Sequence, residues 1–173
     1  FSPTRYIFDE GHNVFDAADS AFAAALTAGE TAELRRWVRG VEEGLRGRAR
    51  GLKKRLAELI AGDESAVAAL DEAGEAARIL PETGWRKRLN EASPVGPAEV
   101  FFAAVREAVY ARVTSPDSLY DLQAELYPAP EAVIKAGLAF KNSLDQLSDP
   151  LMQLAKYLRS LLDDEAEHLD SQT

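Results

Sequence analysis

Apolar residues recur three and four positions apart along nearly all of this chain. That spacing puts them on one face of an α-helix and is incompatible with the alternation a half-buried strand needs. Val14, Phe15, Ala18 and Phe22 make such a face between Asn13 and Leu26, and Leu34, Trp37 and Val38 continue it over residues 32–40. Gly40, Gly44, Gly47 and Gly51 weaken the next stretch before Leu52, Leu56, Leu59 and Ile60 resume the stripe. Gly62-Asp63 marks a turn, with Asp63 the N-cap of a helix that carries Val67, Leu70, Ala77 and Leu80 up to Pro81. Residues 82–97 are broken by Gly84, Pro94, Gly96 and Pro97 and predict a long loop. Pro97 suits a first helical position, and Phe102, Val105, Val109 and Val113 supply the face that follows. Ser115 to Pro130 is a second irregular stretch. Val133, Phe140, Leu144 and Leu147 then mark a helix, and Asp149-Pro150 predicts the cap and first residue of a last one running through Leu151, Leu154, Leu158 and Leu162. The expected fold is all-α, an irregular bundle of six or seven helices.

One short run departs from this pattern. Arg5-Tyr6-Ile7-Phe8 is bulky and β-prone and stops abruptly at Asp9-Glu10-Gly11-His12. A lone strand cannot satisfy its own backbone groups, so the run is expected to belong to a sheet whose other strands lie outside these 173 residues. The chain opens Phe1-Ser2-Pro3 without an initiator Met or a leader, and it stops while a helical pattern is fading; both ends predict a piece of a longer polypeptide. A hydrophobic content of 46% is enough to build a core. The absence of cysteine removes disulfides and thiolate metal sites and fits a cytoplasmic protein. No apolar run reaches the roughly 20 residues of a membrane span, so no membrane partner is expected.

An apolar strand that ends in paired carboxylates has a specific use in nucleotide chemistry. The strand delivers the pair to the edge of a phosphate cleft, where the first carboxylate holds Mg²⁺ through water. The second orients the water that attacks the γ-phosphate. Asp9-Glu10-Gly11-His12 resembles the D-E-x-H motif II, or Walker B motif, of superfamily 2 helicases. The longer stretch Ile7-Phe8-Asp9-Glu10-Gly11-His12-Asn13-Val14-Phe15-Asp16 is similar to the motif II neighbourhood of DinG/XPD-type DNA helicases, the bacterial DinG-like ones above all. Gly11 stands where Ala is usual, a small-for-small change.

The resemblance covers residues 5 to about 37 by recognisable sequence and the rest by order alone. In that family a helical insertion, the Arch domain, follows motif II before the chain returns to the first RecA-like motor domain. It implies three parts here: residues 1–15 as a motor-domain remnant, 16–148 as an Arch-like helical domain, and 149–173 as a helix returning to the motor. It implies a parent enzyme that hydrolyses ATP with Mg²⁺ and translocates 5′ to 3′ along single-stranded DNA. Asp9 and Glu10 would bind the metal and activate water, and His12 would couple nucleotide state to DNA binding. The family's Gly-Lys-Thr phosphate loop and its later arginine-bearing motifs are missing from these residues. The chain alone is therefore expected to bind no cofactor and to be inactive, because half a nucleotide site cannot position a phosphate.

The net charge of −9 is unevenly spread. Arg35, Arg36, Arg39, Arg46, Arg48, Arg50, Lys53, Lys54 and Arg55 are nine of the 20 basic residues, and only Glu42 and Glu43 oppose them in that stretch. Such a cluster has two readings, a border for single-stranded DNA or a solvated helix face with ordinary ion pairs. Arg86-Lys87-Arg88 is a weaker second patch. Trp37, Trp85 and Tyr110 are candidate stacking platforms, although aromatics at helical spacing are expected in the core. Glu165 and His168 have the E-x-x-H spacing of di-metal bundles, but a second such motif and further glutamates on facing helices are needed, so a surface histidine is expected. The rival to the helicase reading is a helical protein–protein interaction module, with no catalytic role, that binds through its acidic remainder.

Overall fold

The computed structural model describes residues 5, 7, 9, 11–41, 50–113 and 122–170, the side chains of 16, 19 and 165–170 excepted. Its described residues form seven α-helices and no strand. Arg5 and Ile7 carry no regular structure, whereas Tyr6 and Phe8 of the expected strand lie outside the described residues. After a 3-10 turn at Gly11–Asn13 come α1 (Val14–Phe22), α2 (Ala28–Arg39), α3 (Leu52–Ile60) and α4 (Glu64–Ala76). A second 3-10 turn at Ala77–Ile79 leads to α5 (Trp85–Asn90), α6 (Gly96–Arg112) and α7 (Glu131–Asp170).

Local chemistry sets most of these ends. The Asp63 carboxylate accepts from the Ala66 N–H at 2.7 Å, which caps α4. Pro97 sits in the first turn of α6, where its missing N–H costs nothing. Helix α2 starts earlier than its apolar face predicts. Thr27 Oγ1 accepts from the Glu30 N–H at 3.1 Å and donates to the Glu30 carboxylate at 2.8 Å, a variant of the capping box. The same helix stops at Gly40, whose φ of 83° suits glycine and whose N–H donates to Arg36 O at 2.9 Å. Gly51 packs directly on that stop. A Cβ there would lie 2.5 Å from Gly40 N and from the Arg39 carbonyl carbon, so only a hydrogen fits.

Two expectations are corrected. Residues 82–97 are not a continuous loop, because α5 forms inside them and carries Arg86, Lys87 and Arg88. Nor does a new helix begin at Asp149-Pro150. Helix α7 runs through Pro150 as one helix of 40 residues. A proline inside a helix costs about 3 kcal/mol. Packing on both sides of it outweighs that cost, for Leu147 belongs to one apolar cluster and Leu154 to another. A break between them would separate the two halves of the core.

The first cluster joins Val38 of α2, Leu80, Ala98 of α6 and Phe140 and Leu147 of α7, with Phe101 and Phe102 packed beside them. The second joins Ile60 of α3, Ala66 and Leu70 of α4 and Leu154 of α7, with Leu56, Tyr157 and Leu158 against it. Thus α7 is the spine on which α4 and α6 lie. Residues 122–130 are irregular, as expected. Arg112, at the end of α6, donates to the carbonyls of Glu125 at 2.7 Å, Leu126 at 2.9 Å and Pro128, fastening that segment to the body. No helix of the described residues is long and apolar enough to cross a membrane.

Candidate functional site

The acidic motif lies where a chain changes character. Asp9 is in a turn, Gly11 and His12 are in the 3-10 turn behind it, and α1 follows at once. Asp9 and His12 are both exposed; Glu10 lies outside the described residues. Helix α1 packs against no other helix among the described residues. Its large aromatic side chains, and apolar ones that flank it, face solvent: Ile7 is 98% exposed, Phe22 90%, and Phe15 and Leu26 are exposed as well, whereas Val14 and Ala18 are half-buried. This front section therefore carries apolar surface that no other described residue covers.

The basic segment divides. Arg35 is turned inward, on the α2 face that also buries Thr31 and Val38. Its Nη1 donates to Arg78 O at 2.8 Å and Leu80 O at 2.7 Å, and its Nη2 meets Glu82 at 3.3 Å. Arg39 donates to Gly74 O and lies 3.8 Å from Glu75. Both side chains join α2 to the end of α4 and the turn behind it. Arg36 pairs with Glu33 one turn back, and its hydrogen bond to that carboxylate holds Glu33 below the ordinary glutamate value. Lys53 pairs with Asp71 at 2.6 Å, and Arg55 Nε donates to Arg50 O at 2.9 Å. Arg50 and Lys54 are exposed, and Arg46 and Arg48 lie outside the described residues. On α2 only Arg36 of the three arginines is exposed, and it is paired with Glu33, so most of the solvent-facing charge lies on the α3 side.

The aromatic residues depart from the core expectation. Trp37 is 63% exposed because the buried face of α2 is the Thr31–Arg35–Val38 line, one residue round the helix. Tyr110 is exposed and Trp85 is half-buried. Each of the latter two has a guanidinium over its ring: Arg86 lies 5.2 Å from the Trp85 centroid and Arg106 lies 5.4 Å from that of Tyr110. The neighbouring Arg88 is used elsewhere, gripping the buried Glu99. Glu165 and His168 lie on α7, but their side chains are outside the described residues.

Comparison of the chain with protein families, with curated proteins and with solved structures finds no match.

Proposed function

We propose that this chain is the Arch-like helical part of an ATP-dependent DNA helicase of the DinG/XPD type, entered at its acidic motif. In this reading it borders the path of the translocating single strand. The observation that carries the proposal is the uncovered front section. Ile7 before Asp9, and a helix with Phe15 and Phe22 exposed, form surface that no other described residue covers and that needs a partner. A motor sheet packed over residues 5–26 would bury it and would bring Asp9 and Glu10 to a nucleotide. There Asp9 would hold Mg²⁺, Glu10 would orient the attacking water, and His12 would report nucleotide state to the DNA path. The exposed basic residues of α3, with Arg46 and Arg48 from the preceding segment, are the proposed phosphate contacts. The parent would work in the cytoplasm.

The inward turn of Arg35 and Arg39 favours the second reading, a helical protein-interaction module, since it removes two of nine candidate phosphate contacts. The reading frame around these residues separates the two. The helicase proposal expects a Gly-Lys-Ser/Thr phosphate-binding loop upstream and arginine-bearing motor motifs downstream. A native frame that starts near Phe1 and stops near Thr173 would overturn it.

A further inference from the structure

Two guanidinium groups, on α5 and α6, stand over aromatic rings and have no carboxylate partner among the described residues. They belong to Arg86, over Trp85, and Arg106, over Tyr110. The other cations nearby are committed. Lys87 faces Glu91 at 3.7 Å, and Arg88 is bound to Glu99 and Glu82. Arg106 is held in place without being neutralised. Its Nη1 reaches across to the end of α5 and donates to Leu89 O and Asn90 Oδ1, both at 2.9 Å. That contact brings Arg106 to the end of the helix that carries Trp85 and Arg86, whose two ends are roughly 7.5 Å apart along its axis.

An uncompensated guanidinium beside a ring that is exposed, as at Tyr110, or half-buried, as at Trp85, is suited to a ligand that offers both negative charge and flat faces. Single-stranded nucleic acid does so at every nucleotide, because its bases are free to stack on aromatic or guanidinium planes while phosphates meet the charge. A duplex keeps its base faces covered and can use only the charge. We infer that the α5–α6 surface bearing Trp85, Arg86, Arg106 and Tyr110 contacts single-stranded nucleic acid. Its choice of ligand rests on the proposed function, but its location does not coincide with the basic cluster on α3. The net charge of −9 restricts the contact to such local positive sites and makes it salt-sensitive.

The Trp37→Phe protein leaves Trp85 as the only tryptophan, since the chain has two. End-labelled oligothymidylate of about twelve nucleotides, within the span of known single-strand sites, is titrated against it at low and high salt. Label anisotropy reports binding, and Trp85 emission reports stacking. The expected result is binding at low salt with quenching of Trp85. Tyr110→Ala and Arg86→Glu, introduced separately, each weaken affinity by about tenfold. Binding with unchanged Trp85 emission, and with unaltered affinity in both variants, would overturn this surface while leaving the nucleic-acid reading intact. No binding at low salt would overturn both.

Discussion

Replacing Glu99 by alanine is expected to cost about 3–5 kcal/mol of folding stability, the scale for a buried ion pair that loses one partner. The Glu99 side chain is 2% exposed and accepts from Arg88 Nε at 2.8 Å, from Arg88 Nη2, and from the Val95 N–H at 3.0 Å. The last bond satisfies the residue that opens α6, so the variant loses a helix start as well as a charge partner. Arg88 is left mostly buried and still charged, with only the longer contact to Glu82 at 3.6 Å opposing it. Converting the pair to Arg88→Met with Glu99→Leu should recover part of the loss, because no charge is then buried without its partner, although the Val95 N–H and the carbonyls of Glu82 and Thr83 lose theirs.

The same pair gives a pH dependence of known sign. Burial pushes the Glu99 carboxyl up. The hydrogen bonds from Arg88, the Val95 N–H and the positive charge of Arg88 outweigh it and hold the group below the ordinary glutamate value. A depressed pKa contributes stability that is fully present above the unfolded value, about 4.3, and is lost as pH falls through the folded one. Urea unfolding of wild type and Glu99→Ala should therefore show its widest gap near neutral pH and a narrowing gap below about pH 4. A gap under about 1 kcal/mol at neutral pH, the range of an exposed pair, would contradict the buried-pair account.

Phe140→Ala is expected to cost a similar amount, about 3–5 kcal/mol, by a different route. Phe140 is buried in α7 where α6 crosses it. Its ring lies 5.8 Å from that of Phe101 and 6.1 Å from that of Phe102, which themselves stand 5.7 Å apart. Truncation removes the buried member of a three-ring cluster and leaves a cavity in the larger core. Phe140→Leu keeps much of the volume and should lose less than about 1.5 kcal/mol. Denaturant midpoints measured on the two variants check this. Equal losses would mean that the site collapses freely and that the rings do not depend on one another.

How far the sequence reveals this molecule depends on how local each cause is. Asp63, Pro97 and Gly40 act within one turn of themselves, and the helix ends they predict are found. Thr27 and Glu30 are equally local, so the start of α2 was there to be read, although its apolar face begins only at Leu34. Asp149-Pro150 is chemically identical to a helix start. Only the presence of core on both sides, at Leu147 and Leu154, makes it a helix interior. Helix α5 was hidden by Gly84 in front and by Pro94, Gly96 and Pro97 behind, all of which signal a loop.

The candidate site follows the same division. The acidic motif and the charge cluster are visible as residue types, but the direction in which an arginine points is not. Arg35 is taken into the fold by carbonyl oxygens 43 and 45 residues away, and no residue type announces a carbonyl. Trp37 lies one step round α2 from the buried line, a difference that a count of apolar residues cannot resolve. The pairs Arg86–Trp85 and Arg106–Tyr110 were half legible, since the residues are adjacent or one turn apart. What the sequence could not reveal is that their neighbours are the ones consumed by carboxylates.

The claim on which the functional account depends is that Asp9 serves a nucleotide once the uncovered front section has its partner. The direct measurement is ATP hydrolysis by the product of the whole native reading frame, with and without single-stranded DNA, for wild type and Asp9→Asn. The account predicts DNA-stimulated, Mg²⁺-dependent turnover that the substitution lowers by about a hundredfold or more, the scale for losing a charge that positions the reacting phosphate. Turnover indifferent to Asp9→Asn, or none at all from the wild-type protein, would contradict it.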